Sequence, residues 1–307
     1  MQTILIAGGT GLVGSGLVRH LSQSDVRIIV YTRHPDRHRS GPNLRYAHWD
    51  PENGVLDEAA FCQADQIINL AGAGVVDRKW TPSYKQKILM SRVRSCELIV
   101  DSLRKLPHRV NTVVNASAIG WYGADGPNAT TSFVETDAPD SGFLGDTCRQ
   151  WEDSIRPVES LGVRLVVLRL GIVLAKAGGA LAAFRTPLRF RVAGIIGSGK
   201  QQVSWIALHD LCRLFSFALS NPAVAGVFNA VAPFPVSNEV LTKELARQVC
   251  GRLYFCVHVP AWFLRLVMGE RSVEVLKSTR VSSKKIAEAG FQFDLPTLAT
   301  ALSAELS

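Results

Sequence analysis

The residues with the clearest chemical meaning are the glycines in the run Gly8-Gly9-Thr10-Gly11-Leu12-Val13-Gly14. The run follows a short apolar segment and opens a segment with the apolar spacing of a helix. Glycines let the backbone turn tightly and approach a pyrophosphate, and the last one lets the helix pack closely on a sheet. The free N–H groups of the helix N-terminus then favour phosphate. We expect dinucleotide contacts from Gly8, Thr10, Gly11, Leu12, Val13 and Gly14, and an ordinary strand-to-helix turn is the alternative.

The end of the second strand-like segment discriminates between cofactors. A site for NAD(H) usually ends this strand with Asp or Glu, which holds the ribose 2′-OH. Here the segment ends Val30-Tyr31-Thr32-Arg33, without an acid. Arg33 can form charge-assisted hydrogen bonds to a 2′-phosphate and stack on adenine, and Thr32 adds a hydroxyl donor. The sequence therefore predicts NADP(H); Arg37 and Arg39 either assist or are solvated loop charges.

The residues discussed above could be positioned by a β-sheet, and the pattern of the first half of the chain predicts a parallel sheet. Apolar, β-branched segments alternate with segments of helical spacing, which is typical of a parallel sheet covered on both faces. We predict an α/β fold, a doubly wound parallel sheet (Rossmann) with ligands at the carboxyl ends of its strands. The expected strands are 3–7, 26–32, 43–49, 66–71, 110–117 and 163–170, and the expected helices are 12–21, 82–106 and 145–161.

The second half has a looser pattern. We assign residues 1–175 to an NADP-binding domain, with later strands and helices returning to it from 205–235. Residues 176–307 then form a smaller, mostly helical substrate lobe and C-terminal region. Expected elements in this half are helices at 208–219 and 237–250 and a strand at 226–231.

Composition excludes several classes of protein. The 307 residues are 47% hydrophobic and 20% charged, which supports a large core and argues against disorder. No apolar run could span a bilayer, and the first residues do not have the pattern of a signal peptide, so a cytoplasmic location is expected. The sequons at Asn115 and Asn128 would then have no meaning. The net charge of +8 is spread out, which does not favour nucleic-acid binding, and no cysteine or histidine spacing indicates a metal site.

Three motifs together resemble the extended short-chain dehydrogenase/reductase superfamily: the glycine run, Asn69-Leu70-Ala71-Gly72, and the segment 117–123 (SAIGWYG). More narrowly, the chain is similar to the "epimerase family" of nucleoside-diphosphate-sugar epimerases, which carry a small C-terminal domain of unknown function. The resemblance covers almost the whole chain. Supporting segments are Arg78-Lys79-Trp80, Ser91-Arg92, Trp151-Glu152, 197–201 (GSGKQ), Trp205-Ile206, His209-Asp210, 266–270 (LVMGE) and Ala289-Gly290-Phe291.

The resemblance implies further cofactor contacts. It places the segment from Asn69 to Gly72 on the nicotinamide side, although Asn69 could instead be purely structural. Asp50 matches a position that touches adenine, or it caps a turn. The full set that the resemblance adds to the cofactor site is Asp50, Asn69, Leu70, Ala71, Gly72, Arg92 and Ser117.

The catalytic pattern of the superfamily is incomplete. Ordinary members use a serine with a tyrosine and a lysine spaced YxxxK, in which the lysine lowers the tyrosine pKa. None of the five tyrosines has a lysine four residues later. By the spacing to Trp151-Glu152, the tyrosine is expected near residues 143–144 and the lysine near 147–148. Ser117 and Tyr122 are the remaining catalytic candidates; the alternatives are a strand-end hydroxyl and a packed loop aromatic.

The segment 197–201, followed by Trp205, resembles the part of nucleotide-sugar enzymes that holds the substrate diphosphate. Lys200 and Trp205 are therefore expected to bind substrate, and Arg185, Arg189 and Arg191 either meet the same anion or are solvated. The pair His209-Asp210 is interpreted as structural. A homodimer is a common arrangement in the superfamily.

Two functions fit these features. The first is an NADP(H)-dependent epimerase or oxidoreductase whose catalysis is atypical or weak, acting on a small molecule such as a nucleotide sugar. The second is a non-catalytic NADPH-binding sensor or scaffold protein. An open polar cleft beside the nicotinamide position favours the enzyme, and a cleft plugged by apolar side chains excludes it.

Overall fold

The computed structural model describes residues 1–126 and 130–306, so that Asn128 lies outside the described residues. The strands are β1 (Gln2–Ala7), β2 (Val26–Thr32), β3 (Leu44–Asp50), β4 (Val55–Leu56), β5 (Gln66–Asn69), β6 (Thr112–Ala118), β7 (Arg164–Leu170), β8 (Ile172–Ala175), β9 (Val192–Ile196), β10 (Gln202–Val203), β11 (Trp205–Ala207), β12 (Gly226–Ala230), β13 (Val236–Ser237) and β14 (Phe255–Val259). The helices are α1 (Leu12–Leu21), α2 (Glu58–Cys62), α3 (Pro82–Lys105), α4 (Phe143–Ile155), α5 (Gly179–Leu188), α6 (Leu208–Ser220), α7 (Asn238–Cys250), α8 (Ala261–Met268), α9 (Ser272–Leu276), α10 (Lys284–Glu288) and α11 (Leu298–Leu306).

Eight strands form the central sheet, in the order β12-β7-β6-β5-β1-β2-β3-β4. The pairs are parallel except for β4, which runs antiparallel to β3. From β1 the chain builds outward through β2 and β3, then crosses back and continues through β5, β6 and β7. The point between β1 and β5 is therefore a topological switch point, where doubly wound sheets open a crevice for ligands. The predicted α/β class is confirmed.

The main core lies in and around this sheet. β-Branched and aliphatic side chains such as Ile29, Ile67 and Val113 are fully buried because helices cover both faces. On the faces, α3 packs against α4, and α1 packs against α6. β12 returns to the main sheet beside β7. The boundary at residue 175 stays a prediction.

A second core fills the region after β8. It contains Leu181, Trp205, Leu241 and Leu302, and it lies among α5, α7 and α11. The C-terminal region is helical, as the sequence predicts. In addition, the structure has three two-stranded sheets, β8 with β11, β9 with β14, and β10 with β13. These strands are two to five residues long, too short to leave a periodic pattern.

Among the element ends that differ from the sequence prediction, two have a clear local cause. The helix expected at 145–161 is α4 followed by a 3₁₀ segment, Arg156–Leu161. Pro157 has no N–H to continue the α-helical ladder, which accounts for the change. The strand expected at 66–71 ends at Asn69, because the Ala71 N–H donates to the Asn69 side chain at 3.2 Å rather than to a neighbouring strand.

No helix in the described part of the chain is both long enough and apolar enough to cross a membrane. The cytoplasmic location and the homodimer remain predictions.

Candidate functional site

A cleft of about 570 Å³ opens at the carboxyl ends of the strands around the switch point. It runs from the glycine loop after β1 to the ends of β2 and β3 on one side, and to the loop after β5 on the other. One wall is the N-terminal half of α3. Of the residues expected to bind cofactor, those in its lining are Gly8, Thr10, Gly11, Thr32, Arg33, Asp50, Leu70, Ala71 and Gly72.

The glycine loop has the geometry that close approach to a ligand backbone requires. Gly8 has φ +80°, and a Cβ there would lie 2.8 Å from the Leu70 carbonyl carbon. At Gly14 a Cβ would lie 2.3 Å from the Gly8 oxygen, so no larger residue fits under the loop. Gly11 precedes α1 and offers no side-chain cap, which leaves the N–H groups of the first turn directed toward the cleft. Leu12, Val13 and Gly14 shape this loop rather than line the cleft.

A basic cluster borders the cleft beyond β2. Arg33, Arg37 and Lys87 line it, whereas Arg39 does not. Asp50 also lines the cleft and holds the turn after β3: its carboxylate accepts from Asn53 Nδ2 at 2.7 Å. That hydrogen bond is the main reason that the pKa of Asp50 lies below its usual value. Asp50 thus holds a turn, as the second alternative expects, and its contact with adenine stays a prediction.

Sequence reasoning missed part of the cleft wall. The Tyr31 and Trp49 rings stack at 5.0 Å between centroids and line the cleft beside His34 and His38. The sequence offers little reason to assign Tyr31 and Trp49 to the cleft, because an aromatic residue within a buried strand is typical of a core. Lys87, Met90, Ser91 and Arg94 were missed because their contribution depends on which face of α3 meets the sheet. The other missed residues in the lining are Pro51, Glu52 and Ala73.

Asn69 fixes the shape of the opposite wall. It is fully buried, and its Nδ2 donates to Asn115 Oδ1 at 2.8 Å while its Oδ1 accepts from Ser95 Oγ at 2.8 Å and from the Ala71 N–H. Asn69 is therefore satisfied within the protein and does not line the cleft. The structure thus supports the structural alternative for Asn69, which orients the loop that follows.

This loop, residues 71–80, is held by α3 and by the C-terminal region. From α3, Ser91 Oγ accepts from the Ala73 N–H at 2.9 Å, and Tyr84 Oη donates to the Gly74 oxygen at 2.7 Å. From the C-terminal side, Arg271 Nη1 donates to the Val76 oxygen at 2.9 Å. An ion pair between Lys85 and Glu270 joins the two supports.

Arg92, also on α3, lies behind the loop rather than in the lining of the cleft. Its Nη1 donates to the oxygens of Ala73 at 3.0 Å and Ile88 at 2.8 Å, and its guanidinium lies 4.9 Å from the centre of the Trp151 ring. Burial lowers the pKa of Arg92, although an arginine still remains charged at pH 7.

The two catalytic candidates lie in a buried polar network next to the cleft. Ser117 Oγ donates to Glu152 Oε1 at 2.6 Å. Arg169 binds the same carboxylate with two hydrogen bonds, from Nε at 2.8 Å and from Nη2 at 2.9 Å. Its Nη1 donates to the Tyr122 hydroxyl at 3.0 Å, which in turn donates to Asn229 Oδ1 at 2.7 Å. This set of five residues is called the sealed network below.

The hydroxyl groups of Ser117 and Tyr122 already donate their protons to hydrogen bonds inside the sealed network. Ser117 is 2% exposed and Tyr122 is 0% exposed. Burial raises the pKa of Tyr122 to about 12, since the charge of Arg169 only partly compensates for the loss of water. Both side chains therefore match the structural alternatives, and their catalytic roles stay predictions that require this network to open.

Comparison with known proteins agrees with this geometry. Residues 4–230 match the NAD dependent epimerase/dehydratase family, and residues 259–305 match a domain of unknown function, DUF1731. The chain belongs to the NAD-dependent epimerase/dehydratase family. The epimerase family protein SH2119 of Staphylococcus haemolyticus is 37% identical over 298 residues, which are 97% of each chain. The epimerase family protein SSP1921 of Staphylococcus saprophyticus is 36% identical over 302 residues, 98% of each chain.

Solved structures share the fold over nearly the full length. Human epimerase family protein SDR39U1 (isoform 2), crystallised with NADPH, has a TM-score of 0.84 and 26% identity, covering 99% of this chain and 98% of that one. UDP-glucuronic acid 4-epimerase from Bacillus cereus has a TM-score of 0.80 at 16% identity, covering 99% and 98%, and shows the fold alone. The resemblance seen in the sequence is thus confirmed.

Within this epimerase-family fold, the positions expected for the tyrosine and the lysine lie on α4. Phe143 packs edge-on against Trp80 at 5.1 Å between ring centroids. The expected lysine positions are Thr147 and Cys148. Thr147 Oγ1 donates to the Phe143 oxygen at 2.7 Å, whereas Cys148 Sγ lies 3.6 Å from the Ala118 oxygen and burial raises the pKa of its thiol to about 12. Neutral side chains therefore occupy both positions at which the lysine is expected.

The expected substrate residues are not brought together. Trp205 is fully buried in the second core, and its Nε1 donates to the Phe234 oxygen at 3.1 Å, which leaves no surface for a substrate. Lys200 is exposed in the loop after β9, and its substrate role stays a prediction. His209 pairs with Asp294 at 2.9 Å, while Asp210 accepts from the Asp294 and Leu295 N–H groups, as expected for a structural pair.

Proposed function

We propose that this epimerase-family protein binds NADP(H) in the cleft, with the adenine end beside β2 and β3 and the nicotinamide end beside the loop after β5. The glycine loop supports a pyrophosphate, because Gly8 and Gly14 keep the backbone free of side chains. The bound group would supply hydride chemistry. The residues of the chain bind it, orient it and limit its contact with water.

The observation that carries the choice of cofactor is the end of β2. Arg33 lines the cleft there with Thr32, and no acid in this position repels a 2′-phosphate. Human SDR39U1, whose structure contains NADPH, supports the same choice.

We further propose an oxidoreductase or epimerase reaction on a small carbonyl compound such as a nucleotide sugar. The open wall at Gly72 and Ala73 supports an enzyme, since the cleft is open there and Ser91 lines it together with the apolar side chains of Leu70 and Met90. The proton-transfer group is then not the tyrosine of a YxxxK pair. Substrate hydroxyls or water would exchange the proton at the cleft mouth.

The sealed network favours a second function, a non-catalytic NADPH sensor or scaffold. Its two hydroxyl groups are engaged in internal hydrogen bonds, so that binding can persist without chemistry. Transfer of deuterium from labelled NADPH to the carbonyl carbon of added keto nucleotide sugars separates the two: any transfer by the purified protein supports the enzyme.

Calorimetric titration of Arg33→Ala with NADPH and NADH tests the cofactor assignment. We expect the variant to bind NADPH about 10- to 100-fold more weakly and to bind NADH with little change, because only NADPH has the 2′-phosphate. Arg39→Ala is the matched control, since Arg39 is in the same segment but outside the lining, and it should bind both as the wild type does. Equal losses for the two cofactors in Arg33→Ala would contradict the assignment.

A further inference from the structure

Arg92 is a half-buried positive charge without an acidic partner. Its hydrogen bonds go to two backbone oxygens, of Ala73 and Ile88. Within residues 1–126 and 130–306, no carboxylate lies within ion-pair distance of it. Its ionisable neighbours are two thiols, Cys96 and Cys148, and the Tyr84 phenol. No carboxylate therefore neutralises this charge, which acts, partly screened, on whatever lies next to it.

The cleft lies next to it, behind a single glycine. A Cβ on Gly72 would lie 3.1 Å from Arg92 Cζ and 3.3 Å from Nε, while Gly72 itself lines the cleft. Since Gly72 has no side chain, only backbone separates the guanidinium from the cleft. The flanking residues Ser91 and Ala73 line the cleft as well.

Two other basic residues of α3, Lys87 and Arg94, also line the cleft, but both are exposed. Water and salt screen charges of that kind strongly. Arg92 is half-buried between the Trp151 ring and the loop, so water screens its field less than it screens the fields of the two exposed residues.

We propose that Arg92 makes the nicotinamide end of the cleft selective for the reduced cofactor. The nicotinamide ring of NADP⁺ carries a positive charge and that of NADPH is neutral, so an uncompensated cation behind Gly72 weakens binding of the oxidised form specifically. This inference rests on the proposed function, which places the nicotinamide beside the loop after β5. Arg92 is a positioning residue that acts through the backbone wall.

The charge of Arg92 also lies near the place where ordinary members of the superfamily have the lysine of the YxxxK pair, which this chain lacks. The lysine is expected near Thr147 or Cys148 on α4, and the Cys148 thiol interacts electrostatically with Arg92. The guanidinium thus reaches the same region from α3 instead of from α4. Arg169 cannot supply this field, because Glu152 neutralises it through two hydrogen bonds.

The test compares affinities for NADPH, NADP⁺ and adenosine 2′,5′-bisphosphate in the wild type, Arg92→Met and Arg92→Lys. The wild type should bind NADPH about tenfold more tightly than NADP⁺, the ratio expected for one partly screened charge at several ångströms. Arg92→Met should bring the ratio near one and leave the bisphosphate affinity unchanged. Arg92→Lys, which keeps the charge, should retain most of the preference. Arg104→Met is the matched control, an exposed arginine at the far end of α3.

A wild type that binds both redox forms equally overturns the inference, whether or not the variants fold. An unchanged ratio in folded Arg92→Met overturns it too, and assigns Arg92 a purely structural role. Failure of the proposed function has a different signature, namely that the wild type binds neither the cofactors nor the bisphosphate. Arg33→Ala should weaken NADPH and NADP⁺ by the same factor and so leave the ratio intact.

Discussion

Two arginines contact α4, the buried Arg169 and the half-buried Arg92, and they differ in what neutralises their charge. Arg169, from β7, is held by Glu152 through two hydrogen bonds and lies 3.7 Å from the Trp121 ring centre. Arg92, from α3, has only carbonyl oxygens and the Trp151 ring. A paired charge stabilises the packing of its own elements, whereas an unpaired charge acts on the neighbouring cleft. We therefore distinguish a structural half of the site, around Arg169, from the half that we propose to bind ligand, around Arg92, which is called the ligand-binding half below.

The largest expected effect is on stability, from Arg169→Met. The change leaves the Glu152 carboxylate buried without its partner, which should lower the free energy of unfolding by about 3–5 kcal/mol. Urea denaturation followed by circular dichroism measures it. Arg149→Met, on the exposed side of α4, should cause little change.

Arg92→Met should lower the free energy of unfolding much less than Arg169→Met does. Arg92→Met removes a charge that has no acidic partner, so it leaves no unpaired carboxylate behind. A similar loss of stability would show that Arg92 is as deeply integrated in the packing as Arg169.

A smaller effect should appear at alkaline pH. Burial raises the pKa of Tyr122 from 10.0 and that of Cys148 from 9.0, both to about 12. Because the folded state retains these protons, their contribution is complete below about pH 9 and is lost as the pH rises toward 12. At about pH 10 the loss should be on the order of 1 kcal/mol for the buried thiol.

Denaturation curves between about pH 8 and pH 11 test this dependence. Cys148→Ala should flatten the alkaline decline, whereas Cys256→Ala, which removes an exposed thiol, should not. A decline that is identical in the wild type and Cys148→Ala would mean that the thiol ionises as freely in the folded protein as in the unfolded chain.

The smallest effect is expected from Ser117→Ala. It removes one hydrogen bond to Glu152 but leaves the Arg169 pair intact, so the stability should fall by about 1 kcal/mol. NADPH affinity should not change, because the hydroxyl faces Glu152 and not the cleft. Ser160→Ala, at an exposed hydroxyl, is the control. A large loss of NADPH affinity in Ser117→Ala would place Ser117 in the ligand-binding half.

The fold and the part of the site that lines the cleft could be predicted from short patterns in the sequence. The glycine run, the β-branched strands and the end of β2 each depend on a few consecutive residues, and the structure brings them to one cleft. The sealed network could not be predicted in this way, because Ser117, Glu152 and Arg169 come from β6, α4 and β7. Trp205 shows the same limit: a motif match identified the segment but not the direction of its side chain, which points into the second core.

The loop after β5 has two supports, α3 and the C-terminal region, and this arrangement has a thermodynamic consequence. Arg271 reaches the Val76 oxygen from the region matched to DUF1731, while Ser91 holds Ala73 at the cleft. Any molecule that shifts the C-terminal region changes the free energy of ordering this loop. If the cleft binds a cofactor as we propose, linkage requires that this binding shifts the affinity for that molecule by the same factor. The contact from Arg271 is thus a physical connection between the region matched to DUF1731 and the loop that borders the cleft.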